Sequence, residues 1–516
     1  MWGAILATAA QAAGTLTVCS EAAPEGFDIV QYELNATNDA AGVTLYDTLV
    51  RVEPGGTKLV PGLAERWDVS SDGLTYTFHL RKGVKFHSTP WFKPTRDFNA
   101  DDVVWSFDRM RDKSHPAHAA ARNGYPYWSG LELGTLIGSV AKVDPMTVRF
   151  SLKRPNAPFL ATLSAYYVGA IYPAEYGAQL ARAGRLEALN TQPVGSGPFV
   201  LRSYQKDAQI RYDAHPEHWA GRPALDRLIF AVTVDTDVRV QRVKAGECLV
   251  GHPIKPPSVA AFDGSSKVSV LRNSPLAISF LALNVQHKPL ADVRLRQALW
   301  LAIDKKTYIQ ANNAGFATPA VSFLPPAVWS HDKTLQERAD VERARALVKA
   351  SGYDGSPLTM FFGSGGERKR AAELLQADWA KAGVQVKVIA MELGEMFKRA
   401  GQGEHDLMLM SSYGDINDPD NFFGPNLSCA AAALGGSNKS RWCHPRFDAL
   451  LDAANRTTDI NRRTDFYVQA QRLVYDEVPV IPLVYPMVMT ALNQRVTGFV
   501  ASPLNIADFR SVSVKP

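Results

Sequence analysis

From Ile278 onward, short apolar runs alternate with stretches of helical periodicity, and this alternation narrows the possible folds more than any other feature of the chain. The runs Ile278–Val285, Thr359–Phe362, Val384–Met391 and Asp406–Met410 carry the β-branched, aromatic and large apolar side chains of buried strands. Between them lie Val293–Tyr308, Ala339–Gly352 and Arg368–Gly383, each patterned as a helix. Strands that alternate with helices make an α/β layer. The first half is richer in strands. Trp67-Asp68-Val69, the turn Ser70–Gly73 and the alternating run Thr75–Leu80 read as a hairpin, and Lys142–Leu152 as another turn and strand. Glu21–Ala41, rich in Pro, Gly, Asn and Asp, reads as loop, and Leu45–Val50 opens an apolar element. A helix is predicted after Asn99, with Asn99 as its cap and Asp101 and Asp102 at its positive end. Its apolar side is Val103, Val104, Phe107 and Met110.

A chain of 516 residues is too long for one hydrophobic core, so two or more domains are expected. Neither repeats nor a low-complexity linker separate them, which predicts strand-like crossovers. The Gly-rich passage Pro193–Phe199 lacks the Lys-Ser/Thr helix start of a phosphate cradle. A strand follows it, so it is read as a backbone crossing between domains. The net charge of +5 is small for this length, and Glu367–Arg370 reads as the solvated start of a helix, not as part of a nucleic-acid stripe.

Met1–Ala9 is apolar and small, and Ala10-Gln11-Ala12 has the small-x-small form that signal peptidase recognises. No Lys or Arg precedes it, so it is read as a signal-peptide remnant over residues 1–12, with export and a mature chain from near Ala13. The four cysteines, Cys19, Cys248, Cys429 and Cys443, agree with an oxidising compartment and two structural disulfides. Three pairings are open. Joining nearest neighbours would give Cys429–Cys443, worth roughly 3 kcal/mol, and Cys19–Cys248, worth roughly 5 kcal/mol in a chain-entropy model. A zinc site would want a Cys-x-x-Cys pair, which the sequence lacks.

Catalytic motifs are missing: there is no Gly-x-Ser-x-Gly, His-Glu-x-x-His or Walker sequence. In His215-Pro216-Glu217-His218 the proline forbids the helix that would aim both histidines at one ion, so a turn is expected, and no metal or cofactor. Asp415, Asp418 and Asp420 fall in Tyr413–Phe423 without calcium-loop spacing. Asp418–Asn421 suits the cap of a following helix. Asp415, beside Gly414 at the end of a buried strand, has no such explanation.

Several segments resemble the extracellular solute-binding proteins of peptide ABC transporters (family 5), and within them the periplasmic dipeptide-binding group. They are Thr15–Glu21, Val60–His87, Phe98–Arg109, Gln192–Tyr204, Leu283–Ile303, Gln376–Val384, Asp418–Phe423, Ser428–Ala430 and Trp442-Cys443. The resemblance spans nearly the whole mature length. It implies an α/β bilobal clamshell, the type II periplasmic-binding-protein fold of the large peptide-binding subclass. Lobe one would be 13–273, with a strand-rich extra subdomain at about 46–184. Lobe two would be 274–487, and 488–516 would return to lobe one. It also implies the two nearest-neighbour disulfides, a monomer, and periplasmic delivery of a small peptide or peptide-like ligand to an inner-membrane ABC permease.

The resemblance assigns the ligand ammonium to Asp415, next to Tyr413 and Gly414. Glu33, Leu34 and Asn35 fall where relatives present backbone to the peptide. Tyr125, with Tyr127 and Trp128, falls where relatives place aromatics near the site. One departure stands out: relatives hold the peptide carboxylate with an arginine in a Pro-rich stretch, whereas Phe361–Arg368 is shorter and lacks it, leaving Arg368 as the candidate. The family also includes receptors for haem precursors, glutathione, nickel, sugars and antimicrobial peptides. A non-standard ligand of the same fold is therefore the alternative, as is a chemoreceptor partner. A secreted peptide hydrolase fits less well, because no nucleophile–base pair or metal set is present.

Overall fold

The computed structural model describes residues 14–515. The signal-peptide expectation for residues 1–12 lies outside them. Two large sheets organise the chain. The first has seven strands in the order Val268–Asn273, Val488–Asn493, Val250–Ile254, Gly14–Ser20, Leu225–Val232, Gln209–Ala214 and Phe199–Gln205. Gly14–Ser20 runs parallel to both its neighbours, and the outer pairs are antiparallel.

The second sheet has six strands, in the order Ala317–Pro319, Val480–Pro486, Ala277–Leu283, Leu407–Tyr413, Leu358–Gly363 and Val386–Met391. Its central strand shows why the sequence patterns as it does. Leu281 and Leu283 pack on one face with Trp300 and Trp379, while Ile278, Phe280 and Ala282 pack on the other with Phe422, Phe423 and Tyr467. Both faces are covered, so an apolar run interrupted only at Ser279 replaces alternation.

Two short extended segments join the sheets. Residues 274–276 lead from Val268–Asn273 into Ala277–Leu283, and Met487 leads from Val480–Pro486 into Val488–Asn493. Asn273 pairs with Val488, and the Leu276 amide donates to the Pro503 carbonyl at 2.7 Å. The fold is thus bilobal, with its hinge made of paired strand-like crossovers.

A four-stranded antiparallel sheet, in the order Ala64–Val69, Thr75–Leu80, Thr147–Leu152 and Ile137–Asp144, extends the first lobe. Helix Ala100–Arg111 packs on it through Val103, Phe107 and Met110. Asn99 and Asp102 cap this helix reciprocally. Its Arg109 is buried against Asp28, with Nη1–Oδ2 at 3.1 Å and Nη2–Oδ1 at 2.5 Å. That pair pins part of the segment expected to be loop. Glu21–Ala41 in fact holds the turns Ile29–Gln31 and Asn35–Thr37 and the start of a wide helical turn, Asn38–Gly42. Long-range anchors at Arg109 and Asn190 order it, and local composition does not reveal them.

Another expectation is corrected at Val293–Tyr308, which forms two helices, Val293–Leu301 and Lys305–Asn313. Asp304 caps the second by accepting from the Thr307 amide at 3.0 Å. The Gly-rich passage leads into the edge strand Phe199–Gln205. A Cβ at Gly195 would stand 2.0 Å from the Leu45 carbonyl oxygen, so only glycine fits there. His215 and His218 accept turn positions, each facing a backbone carbonyl, that of Gly197 or Gly221.

Both disulfides join nearest neighbours, Cys19–Cys248 and Cys429–Cys443. Cys19–Cys248 ties strand Gly14–Ser20 to the connection just before its neighbour Val250–Ile254, across 229 residues of sequence. Replacing both cysteines by alanine is expected to lower unfolding free energy by about 2–5 kcal/mol in urea titration. Reductant should then shift the wild-type midpoint far more than that of the variant.

Candidate ligand-binding site

Strand Leu407–Tyr413 ends at the hinge, and the residues after it are held on several sides. The Gly414 amide donates to the Leu276 carbonyl at 2.6 Å, and a Cβ there would meet the Phe422 ring at 2.9 Å. The Asp415 amide donates to Asn421 Oδ1 at 2.9 Å. Asp418 accepts from the Asp420 amide at 3.1 Å and is buried against Arg463, with contacts of 3.0 and 2.8 Å. These bonds use up Gly414, Asp418 and Asn421 locally and leave the Asp415 carboxylate for the cleft.

From the other lobe, helix Pro126–Gly130 brings Tyr127, whose hydroxyl donates to Asp415 Oδ2 at 2.8 Å. The Tyr127 ring stacks on Tyr167, with centroids 4.4 Å apart and planes within 3°. The groups acting on Asp415 include no ammonium or guanidinium. Burial pushes its carboxyl up to about 6. The Tyr127 hydroxyl pulls the other way, and the charge of Glu33 adds to the rise.

Asp415 and Tyr167 line a cavity of about 800 Å³, measured with its open mouth, together with Asn35, Arg51, Tyr166 and Arg510. Asn35 also borders a second chamber of about 420 Å³ that contains Glu21 and Asp39. Asp39 accepts from the Ala507 amide at 2.8 Å, and burial, with the charges of Glu21 and Asp508, pushes it up to about 7. These are the dimensions of a small-molecule site, and among the described residues Asp415 and Asp39 have no cationic partner.

A profile of the family described as bacterial extracellular solute-binding proteins, family 5 Middle, matches residues 58–433. The chain belongs to this family. Di/tripeptide-binding protein 4 of Pseudomonas aeruginosa (strain UCBPP-PA14) is 48% identical over 520 residues, covering 99% of this chain and 97% of that one. The structure of HbpA2 from Haemophilus parasuis superposes with a TM-score of 0.89 at 36% identity, over 98% of this chain and 100% of the other. A dipeptide binding protein from Pseudoalteromonas sp. SM9913, solved in complex with Met-Leu, gives a TM-score of 0.86 at 32% identity, over 97% and 100% of the two chains.

Within this family 5 fold, the candidates named from sequence separate into groups. Asp415 and Asn35 line the main cavity. Tyr413 is 48% exposed at the strand end, with Gly414 buried beside it. Glu33 and Leu34 are exposed and line neither chamber, although Glu33 acts on Asp415 through its charge.

Two expectations are corrected. Tyr125 is buried in the first lobe, its hydroxyl donating to the Ala117 carbonyl at 3.3 Å, and it does not reach the cleft. Its neighbour Tyr127 does. Arg368 is exposed on the first turn of helix Gly366–Lys381 and lines neither chamber. Its guanidinium folds back over the end of strand Leu358–Gly363, where a Cβ at Gly363 would stand 2.6 Å from Nη1, and its charge acts on Tyr413. Tyr166, Tyr167, Arg51 and Arg510 were not selected from sequence. The available signals were an arginine inside the apolar run Leu49–Val52 and the tyrosine doublet Tyr166-Tyr167.

A carboxyl raised to about 6 in the folded protein, against about 3.9 unfolded, holds its proton more tightly when folded. Its stabilising contribution is therefore present below pH 4 and is lost as pH rises through 6. Asp415→Asn should be more stable than ligand-free wild type by on the order of 2 kcal/mol at pH 7.5. The two should converge near pH 4 in denaturant titrations. A Tyr127 variant cannot substitute in this test, because it also removes the stacked ring.

Proposed function

We propose that the chain is the periplasmic substrate-binding component of an ABC importer, and that it captures a dipeptide or peptide-like solute between its lobes for an inner-membrane permease. The observation that carries this is the Asp415 carboxylate, partly buried, which reaches from the second lobe into a cavity otherwise lined by the first, bonded to a tyrosine hydroxyl and, among the described residues, paired with no cation. A buried carboxylate without a cation is unfavourable, and a peptide's terminal ammonium supplies what it lacks. The relatives named for di- and tripeptides, and the neighbour bound to Met-Leu, support the same ligand class.

In this reading residues 14–273 and 488–515 form one lobe, 274–487 the other, and the 1–12 segment directs export. The lobes meet around the cleft through Asn417 Nδ2 and Thr57 Oγ1 at 2.8 Å, the Ala157 amide and the Asn455 carbonyl at 3.1 Å, and Lys255 and Glu367 at 3.4 Å, with Val52, Leu504 and Ile506 packed on the second lobe's core. The ion pair is exposed and contributes little on its own. Ligand charge at Asp415 would then add to the bias toward closure. The protein acts as a monomer that binds and releases its ligand without chemical change.

Asp415→Ala should abolish dipeptide binding in calorimetry, since loss of a buried partner costs about 3–5 kcal/mol and a micromolar binder has only about 8 kcal/mol. Near-native affinity in that variant would refute the assignment. In wild type, affinity should rise as pH increases from 5 to 7, because the ammonium needs the ionised carboxylate. A flat profile would place the ammonium elsewhere.

A further inference from the structure

The cavity that holds Asp415 also contains an uncommitted set of donors. Tyr166 is only 6% exposed and lines the cavity, yet among the described residues its hydroxyl has no hydrogen-bond partner. Arg510 gives Nε and Nη2 to Asp508, while its Nη1 is buried with no partner. Arg51 donates through Nε to the Pro61 carbonyl at 3.1 Å and lies over the Trp219 ring at 5.1 Å. Asp47 and Asp508 act on Arg51 only through their charge, and no carboxylate among the described residues forms an ion pair with it. Burial and the neighbouring Arg510 charge both work against its protonated form. Asp508 pairs with Arg510, the buried Asp47 acts on both guanidinium groups through its charge, Glu53 stands exposed at the rim, and Arg51 has no direct carboxylate contact among the described residues.

Two guanidinium groups and a free phenol hydroxyl in one desolvated wall are the donor set that a carboxylate requires. They share a cavity with a carboxylate that lacks a cation, so the cavity as a whole is bipolar. Arg368, the sequence-level candidate for the anionic end, stays on the surface. We infer that Arg51, Tyr166 and Arg510 form a carboxylate subsite in the Asp415 cavity, which takes either the peptide's terminal carboxylate or an acidic side chain. The inference rests on the peptide-receptor reading and adds to it the location and chemistry of the second anchor.

Calorimetry with two isosteric pairs tests it: Glu-Ala against Gln-Ala, and Ala-Ala against its C-terminal amide. Wild type is expected to favour the carboxylate member of one pair by about tenfold or more. The Glu/Gln pair reports a side-chain carboxylate, and the acid/amide pair the terminal one. In Arg51→Met and in Tyr166→Phe that ratio should fall toward one. Tyr166→Phe removes a single unpartnered oxygen, so its fold is safe, whereas an Arg510 substitution would strand Asp508. Equal affinities within both wild-type pairs, or a ratio that persists in both variants, would overturn the subsite. If wild type binds none of the four peptides, the peptide-receptor reading itself fails, and the subsite with it.

Discussion

The cleft is organised around one costly arrangement, a carboxylate largely withdrawn from water that, among the described residues, has no paired cation. Asp415 stays there because everything next to it is fixed for other reasons. Gly414 is clamped between the hinge and Phe422, Asn421 holds the Asp415 amide, and Asp418 is saturated by Arg463. Relaxing Asp415 toward solvent would mean undoing a strand end, a helix start and a buried ion pair together. The Tyr127 hydroxyl offsets part of the desolvation, and its 2.8 Å contact also links the two lobes. The same group therefore sets both ligand charge and the geometry in which the lobes meet.

Strength elsewhere lets the cleft remain unsatisfied. The Cys19–Cys248 disulfide, the Arg109–Asp28 pair and the two-faced core around Ala277–Leu283 lie within single lobes. Between the lobes, polar contacts are joined by Val52, Leu504 and Ile506 of the first lobe, which pack on the core of the second. In the proposed reading a small ligand biases the relative position of the lobes, since an equilibrium shifts only by a ligand's differential affinity for its states.

Much of the scaffold was legible in sequence because it follows local rules. The apolar runs after Ile278 became the second sheet, the Asn99 cap started its helix, and nearest-neighbour cysteines paired. Breaks set by single side chains were harder to see, as at Asp304, which divides one helical pattern into two helices. The site itself was only partly readable. Asp415 stood out because no structural role explained it. Tyr127 did not, since a tyrosine beside Trp128 reads equally well as core, and Tyr125 two residues away is core. Arg51 and Arg510 meet only through the return of the chain end to the first lobe. No local pattern encodes that meeting.

The most direct measurement is a crystal structure of the protein with a simple dipeptide such as Ala-Ala. The dipeptide should lie in the interlobe cavity with its ammonium nitrogen at about 2.7–3.2 Å from an Asp415 carboxylate oxygen. A dipeptide bound with its ammonium away from Asp415, or outside this cavity, would contradict the role given to that carboxylate.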